Sequence, residues 1–98
     1  MFKSVKELLD MCKIHYRIHR DHPDYEKCSM SCCDDAFKRI VGFKCSLCGD
    51  TFSIGLSALK VDPDCDTFLS IEDRKKIESQ LNIFIAESIK SETCNDTQ

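Results

Sequence analysis

Cys45-Ser46-Leu47-Cys48, followed at once by Gly49, is the sharpest chemical signal in this 98-residue chain. Two thiolates three residues apart, on a tight turn closed by a glycine, grip a tetrahedral metal ion from one side, and zinc is the metal that such sites favour. Two further ligands are needed, and Cys28 and Cys32 supply them in this reading. On a helix these two lie one turn apart and point the same way. Cys33 then points about 100° away from Cys32 and becomes a small core residue. On a strand, as in a ribbon with a Cys knuckle at 28–33, Cys33 takes the place of Cys32. Cys65 stands in reserve. His15 and His19, four apart on one side of the first predicted helix, are also able to share an ion. The neighbouring Lys13, Arg17 and Arg20 argue against a cation there, and His22 is a further alternative. The expected metal ligands are Cys28, Cys32, Cys45 and Cys48, holding one structural Zn²⁺ per chain with no open coordination position.

The compartment decides whether eight cysteines mean metal or disulfides. The start, Met1-Phe2-Lys3-Ser4-Val5-Lys6-Glu7, has neither the apolar run nor the small-residue cleavage site of a secretory leader. No stretch approaches the roughly 20 apolar residues of a membrane span. A reducing, cytoplasmic setting is therefore expected, where a Cys-x2-Cys pair signifies metal or redox chemistry. At 42% hydrophobic and 32% charged residues the composition is that of a globular protein and not a disordered one. The length suits one small zinc-binding domain over residues 1–98, with 91–98 as a polar tail carrying a free Cys94.

Phe43-Lys44-Cys45-Ser46-Leu47-Cys48-Gly49-Asp50-Thr51-Phe52-Ser53 resembles the first half of a Cys2His2 zinc finger, with its aromatic-x-Cys-x2-Cys-Gly-x2-Phe-Ser order. Leu56-Ser57-Ala58-Leu59-Lys60 resembles the start of the finger helix, with one residue too many before Leu59. The resemblance covers residues 43–60. It implies a knuckle hairpin with Phe43 and Phe52 packed behind the metal, and Cys45 and Cys48 as ligands. The family's His-x3-His is missing; Val61, Asp62, Cys65 and Asp66 stand near its place. Half of the ligands must come from elsewhere, and the family's groove-reading helix is not implied.

The elements that must position these residues follow from caps and periodicity. Ser4 with Glu7 reads as a capping box for a helix over 4–20, whose apolar stripe is Val5, Leu8, Leu9, Cys12 and Tyr16. Pro23, acidic residues at 24 and 26, Lys38 and Arg39 near the end, and Gly42 as a stop predict a second helix over 23–41, antiparallel to the first. Asp62, Asp64 and Asp66 match three positions of a calcium-binding EF-hand loop, but Thr67 stands where that loop needs Gly and Asp73 where it needs Glu. The plain reading is an acidic loop ending in a Ser70 N-cap. A last helix over 71–91 carries the stripe Ile77, Leu81, Phe84, Ile85 and Ile89. The expected fold is mainly α: a helical hairpin, a zinc knuckle formed by a short β-hairpin, and a C-terminal helix.

No nucleophile-base pattern, phosphate loop or paired carboxylates stand out, so no enzyme is expected. A net charge of −3 disfavours a protein that clamps nucleic-acid backbone over a large surface. The leading expectation is a small zinc-stabilised regulatory or adaptor protein that binds a protein partner, of the size and acidity seen in host-directed factors of viruses and phages. The acidic 62–73 loop and the last helix are its candidate surfaces, and the last helix could also form a homodimer seam. The alternative is a nucleic-acid-binding regulator using Lys13, Arg17, Arg20, Lys38, Arg39 and Lys44. A thiol redox protein using Cys45 and Cys48 is a third class, though this pair lacks the usual position at the start of a helix.

Overall fold

The computed structural model describes the backbone of residues 2–96 and the side chains of residues 2–89. Helix α1 spans Val5–His19, and Ser4 caps it through its hydroxyl, which accepts from the Glu7 N–H at 3.1 Å. One 3-10 turn, Tyr25–Lys27, follows. Strands β1 (Met30–Asp35), β2 (Ile40–Cys45) and β3 (Thr51–Gly55) form an antiparallel meander in the order β1-β2-β3. Two short helices, α2 (Leu56–Leu59) and α3 (Cys65–Leu69), lead into the long α4 (Ile71–Asp96).

The expected mainly α fold is therefore corrected to a mixed one, with 52% of residues helical and 20% in strands. The error lies at residues 23–41. Asp24 starts only the single 3-10 turn, and at Cys28 the backbone is already extended (φ −67°, ψ 115°). From Met30 the chain pairs with β2, Met30 opposite Cys45, Cys32 opposite Phe43 and Cys33 opposite Gly42. Lys38 and Arg39 lie in the turn of this hairpin and not at a helix end. Arg39 takes a left-handed conformation (φ 55°), and the Lys38 N–H is held by the Asp35 carboxylate at 3.0 Å. Gly42 does not stop a helix. It is buried within β2, where a Cβ would overlap the Phe52 carbonyl and the Ser53 Cα of β3.

The core lies between the sheet and the helices. Val41, Phe43 and Cys45 alternate inward from β2 and meet Val5, Leu8, Cys12 and Tyr16 of α1 and Leu81, Ile85 and Ile89 of α4. Phe68 of α3 stacks edge-on against Phe43 with centroids 5.7 Å apart. Helix α1 packs on β3 and α4 on β1. The outer edge of β1 does not face water. Asn82 of α4 accepts from the Met30 N–H (2.7 Å) and donates to the Met30 carbonyl (2.9 Å), and Glu78 accepts from the Cys32 N–H (3.2 Å). Side chains of α4 thus play the part of a neighbouring strand, which protects an edge otherwise open to pairing. Arg74, 1% exposed, ties the same helix to the Phe68 carbonyl (2.9 Å) and to the Asp34 carboxylate (2.6 Å).

Candidate metal centre

The turn between β2 and β3 places Cys45 and Cys48. The Gly49 N–H donates to the Cys45 carbonyl (3.0 Å) and the Cys45 N–H to the Asp50 carbonyl (2.9 Å). Gly49 stands at φ 79°, a conformation that glycine adopts without penalty. The Asp50 N–H points at the Cys48 sulfur at 3.4 Å. Backbone donors aimed at sulfur favour the thiolate that binds metal. Phe43 and Phe52 face each other across β2 and β3.

Helix α1 brings two imidazoles to this turn. His15 and His19 sit one turn apart on its inner face, both buried, with their rings edge-on at 4.7 Å. His15 Nε2 is 3.3 Å from Cys48 Sγ, and His19 Nδ1 is 3.8 Å from Cys45 Sγ. One donor atom from each of His15, His19, Cys45 and Cys48 falls within 4.8 Å of the other three. A tetrahedral zinc, with bonds of about 2.3 Å to sulfur and 2.0–2.1 Å to nitrogen, sets its donors roughly 3.3–3.8 Å apart. The cluster therefore fits one ion with modest closure. Among the described residues it is the sole grouping of this kind. Lys13 and Arg17, which argued against a cation here, are turned elsewhere: Lys13 Nζ lies over the Phe84 ring and the Arg17 guanidinium over Tyr16.

Cys28, just ahead of β1, comes to the same place. Its sulfur is 3.3 Å from His19 Nδ1 and 4.0 Å from Cys45 Sγ. Cys32 does not share it. The helical turn expected to set Cys32 beside Cys28 is absent, and the Cys32 thiol points to the Glu78 carboxylate at 3.7 Å. Cys33 is a half-buried β1 residue, Cys65 opens α3, and the His22 ring accepts from the Asp24 N–H. The carboxylates of 62–66 are not gathered as an EF-hand. Asp62 accepts from the Val5 N–H (3.0 Å) and from the Asp64 N–H (2.9 Å), and α3 occupies the middle of that segment. Cys94 lies outside the described side chains.

Burial sets the proton state of the metal-free site. Desolvation first, then the neighbouring Cys45, pushes the Cys28 thiol up to about 12. Burial also raises Cys48, against the pull of the Asp50 N–H. His15 is lowered by burial and by the proximity of His19. In the metal-free site burial therefore favours the protonated thiols of Cys28 and Cys48 and the neutral imidazole of His15. A cation must displace thiol protons to bind, whereas His15 offers its lone pair directly.

The signal for the two histidines was present in their (i, i+4) spacing. What the sequence did not carry was the direction of α1 over the sheet, which brings its inner face to the knuckle. No helix among the described residues is long and apolar enough to cross a membrane. Compared with protein-family models, with curated proteins and with solved structures, the chain matches none.

Proposed function

We propose that the chain is a zinc-stabilised interaction module without catalytic chemistry of its own. The observation that supports this most directly is the convergence of His15, His19, Cys45 and Cys48 from two separate elements. Four protein donors leave a zinc no position for water or substrate, which is the mark of a structural ion. Cys28 borders the ion and takes up no position of its own. Elemental analysis of protein purified without added metal should find one zinc per chain. Protein free of metal, with its thiols oxidised to disulfides, would end this reading.

A protein partner remains the leading reading for what the module binds. Helix α1 shows an apolar stripe to solvent, Met11, Ile14 and Ile18, at 40, 47 and 71% exposure. On another side of α1, a separate groove of about 290 Å³ against α4 is lined by Leu9, Lys13, Ile77, Gln80, Leu81 and Phe84. Scattered exposed aliphatics are ordinary, but a stripe at helical spacing along one helix is a binding surface of the kind helices use. The double variant Ile14→Glu/Ile18→Glu should keep its zinc and lose a partner that the wild type captures. Sedimentation separates the rival outcome: a wild-type dimer that becomes a monomer in this variant would assign the stripe to a second copy of the chain. The nucleic-acid reading is favoured by a different surface, the β1–β2 turn.

A further inference from the structure

Phe37 stands at the tip of the β1–β2 hairpin with 97% of its surface exposed. The ring is presented on a fixed turn. Asp35 holds the Lys38 N–H, the Arg39 N–H donates to the Ala36 carbonyl (3.3 Å), and the Arg39 carbonyl accepts from the Leu56 N–H (2.9 Å). Next in the chain, Lys38 and Arg39 rim a shallow depression of about 440 Å³, with Lys3 and Ser57 on its border and Phe2 and Leu56 among its walls. No carboxylate lines it. Among the described residues, none of Lys3, Lys38 and Arg39 forms an ion pair. Asp34, beside the tip, is taken up by Arg74, which leaves these three cations against the Asp35 carboxylate on a chain of net charge −3.

The geometry points to a binding site for single-stranded nucleic acid at this tip, with Phe37 as a stacking platform for an unpaired base and Lys3, Lys38 and Arg39 as the phosphate contacts. Single strands offer both halves of what the patch presents, an open π-face and a run of phosphates. In a duplex the base faces are already stacked, so the ring would have no face to meet. An anionic lipid surface would satisfy the cations but leave one lone ring as its whole apolar anchor. The overall negative charge removes long-range attraction, so binding here depends on stacking and is weak at physiological salt. The inference does not depend on the identity of the metal ligands or on the α1 stripe.

The test is fluorescence anisotropy of short labelled oligothymidylate and oligouridylate at low salt, with a duplex of equal length and anionic vesicles as the other arms. Phe37→Ala is expected to weaken single-strand binding by on the order of tenfold or more. Lys38→Gln and Arg39→Gln should each lower the slope of log affinity against log salt by roughly 0.7. All three side chains are exposed, and unchanged zinc content and circular dichroism confirm that each variant is folded. The chain has no Trp, so Phe37→Trp adds a single fluorophore that an adjacent base should quench. The proposal is overturned by absent or non-saturable single-strand binding, by equal affinity of Phe37→Ala, by an unquenched Trp at saturation, by a preference for duplex, or by binding confined to the vesicles.

Discussion

A single side chain can decide whether this protein holds its ion. In the proposed site His15, His19, Cys45 and Cys48 each supply one donor of a closed tetrahedron, so Cys45→Ser, Cys48→Ser, His15→Ala and His19→Ala should each strip the zinc. On the proposed ligand set, Cys28→Ser should retain one zinc per chain, with affinity reduced by roughly 10- to 100-fold, because its thiol touches two of the donors, His19 and Cys45. Cys32→Ser and Cys33→Ser should leave metal content unchanged; loss of zinc on changing Cys32 would restore the four-cysteine set. Zinc titrations across pH read the same residues differently. The Cys48 thiol is raised and keeps its proton near neutrality, so binding ejects that proton and affinity must rise with pH. His15 is lowered and stays neutral to below its ordinary value of 6.5, so it adds competition only on the acid side. An affinity flat between pH 6 and 8 would contradict thiolate ligation.

At the scale of elements, the edge of β1 carries the clearest mechanical claim. Asn82 satisfies both backbone groups of Met30, so Asn82→Leu leaves a part-buried donor and acceptor unpaired, at a cost of about 1–3 kcal/mol. Thermal melts of the zinc-loaded variant should show it, and stability equal to wild type would mean that the strand edge is open to water. Gly42→Ala should destabilise by about 1–3 kcal/mol, since the new methyl meets the backbone of β3 and not a movable side chain. These two elements also show how far the sequence could be read. The capping box at Ser4 and the stripe of the last helix are local signals, and both helices are where those signals put them. The knuckle at 45–49 is equally local. Residues 23–41 were misread because helix caps and turn residues use the same chemistry: Asp24, Lys38, Arg39 and Gly42 serve a 3-10 turn, a hairpin turn and a close strand approach. What settled the matter, the pairing of 30–35 with 40–45 and the covering of that edge by residues 78 and 82, is non-local and leaves no mark in any short window. The donor set suffered from the same blindness, since no spacing tells which helix face will meet a knuckle 30 residues later.

For the whole molecule, a zinc held by the proposed donors would join α1 to the end of the sheet. Its donors come from the last turns of α1 and from the β2–β3 turn, two regions that also share a small apolar core. A chain of this size has little stability to spare, so a bound metal weighs heavily in its folding. Zinc that binds the folded state and not the unfolded one adds about 4.1 kcal/mol when free metal stands at a thousand times Kd. For a domain of this size each kcal/mol is worth roughly 4–8 °C at the midpoint. Chelation should therefore lower the Tm by at least about 15 °C, or unfold the protein outright at room temperature. Added zinc should restore the transition, and magnesium, which prefers oxygen ligands, should not. The loss should be seen first in α1, whose amides would exchange with solvent well before those of β1 and β2, because α1 gives up two anchoring side chains while the meander keeps its ladder. A melt unchanged by chelation, in protein shown to have carried and then lost its zinc, would mean that the core alone holds the fold. The ion would then be a passenger in a site formed without it.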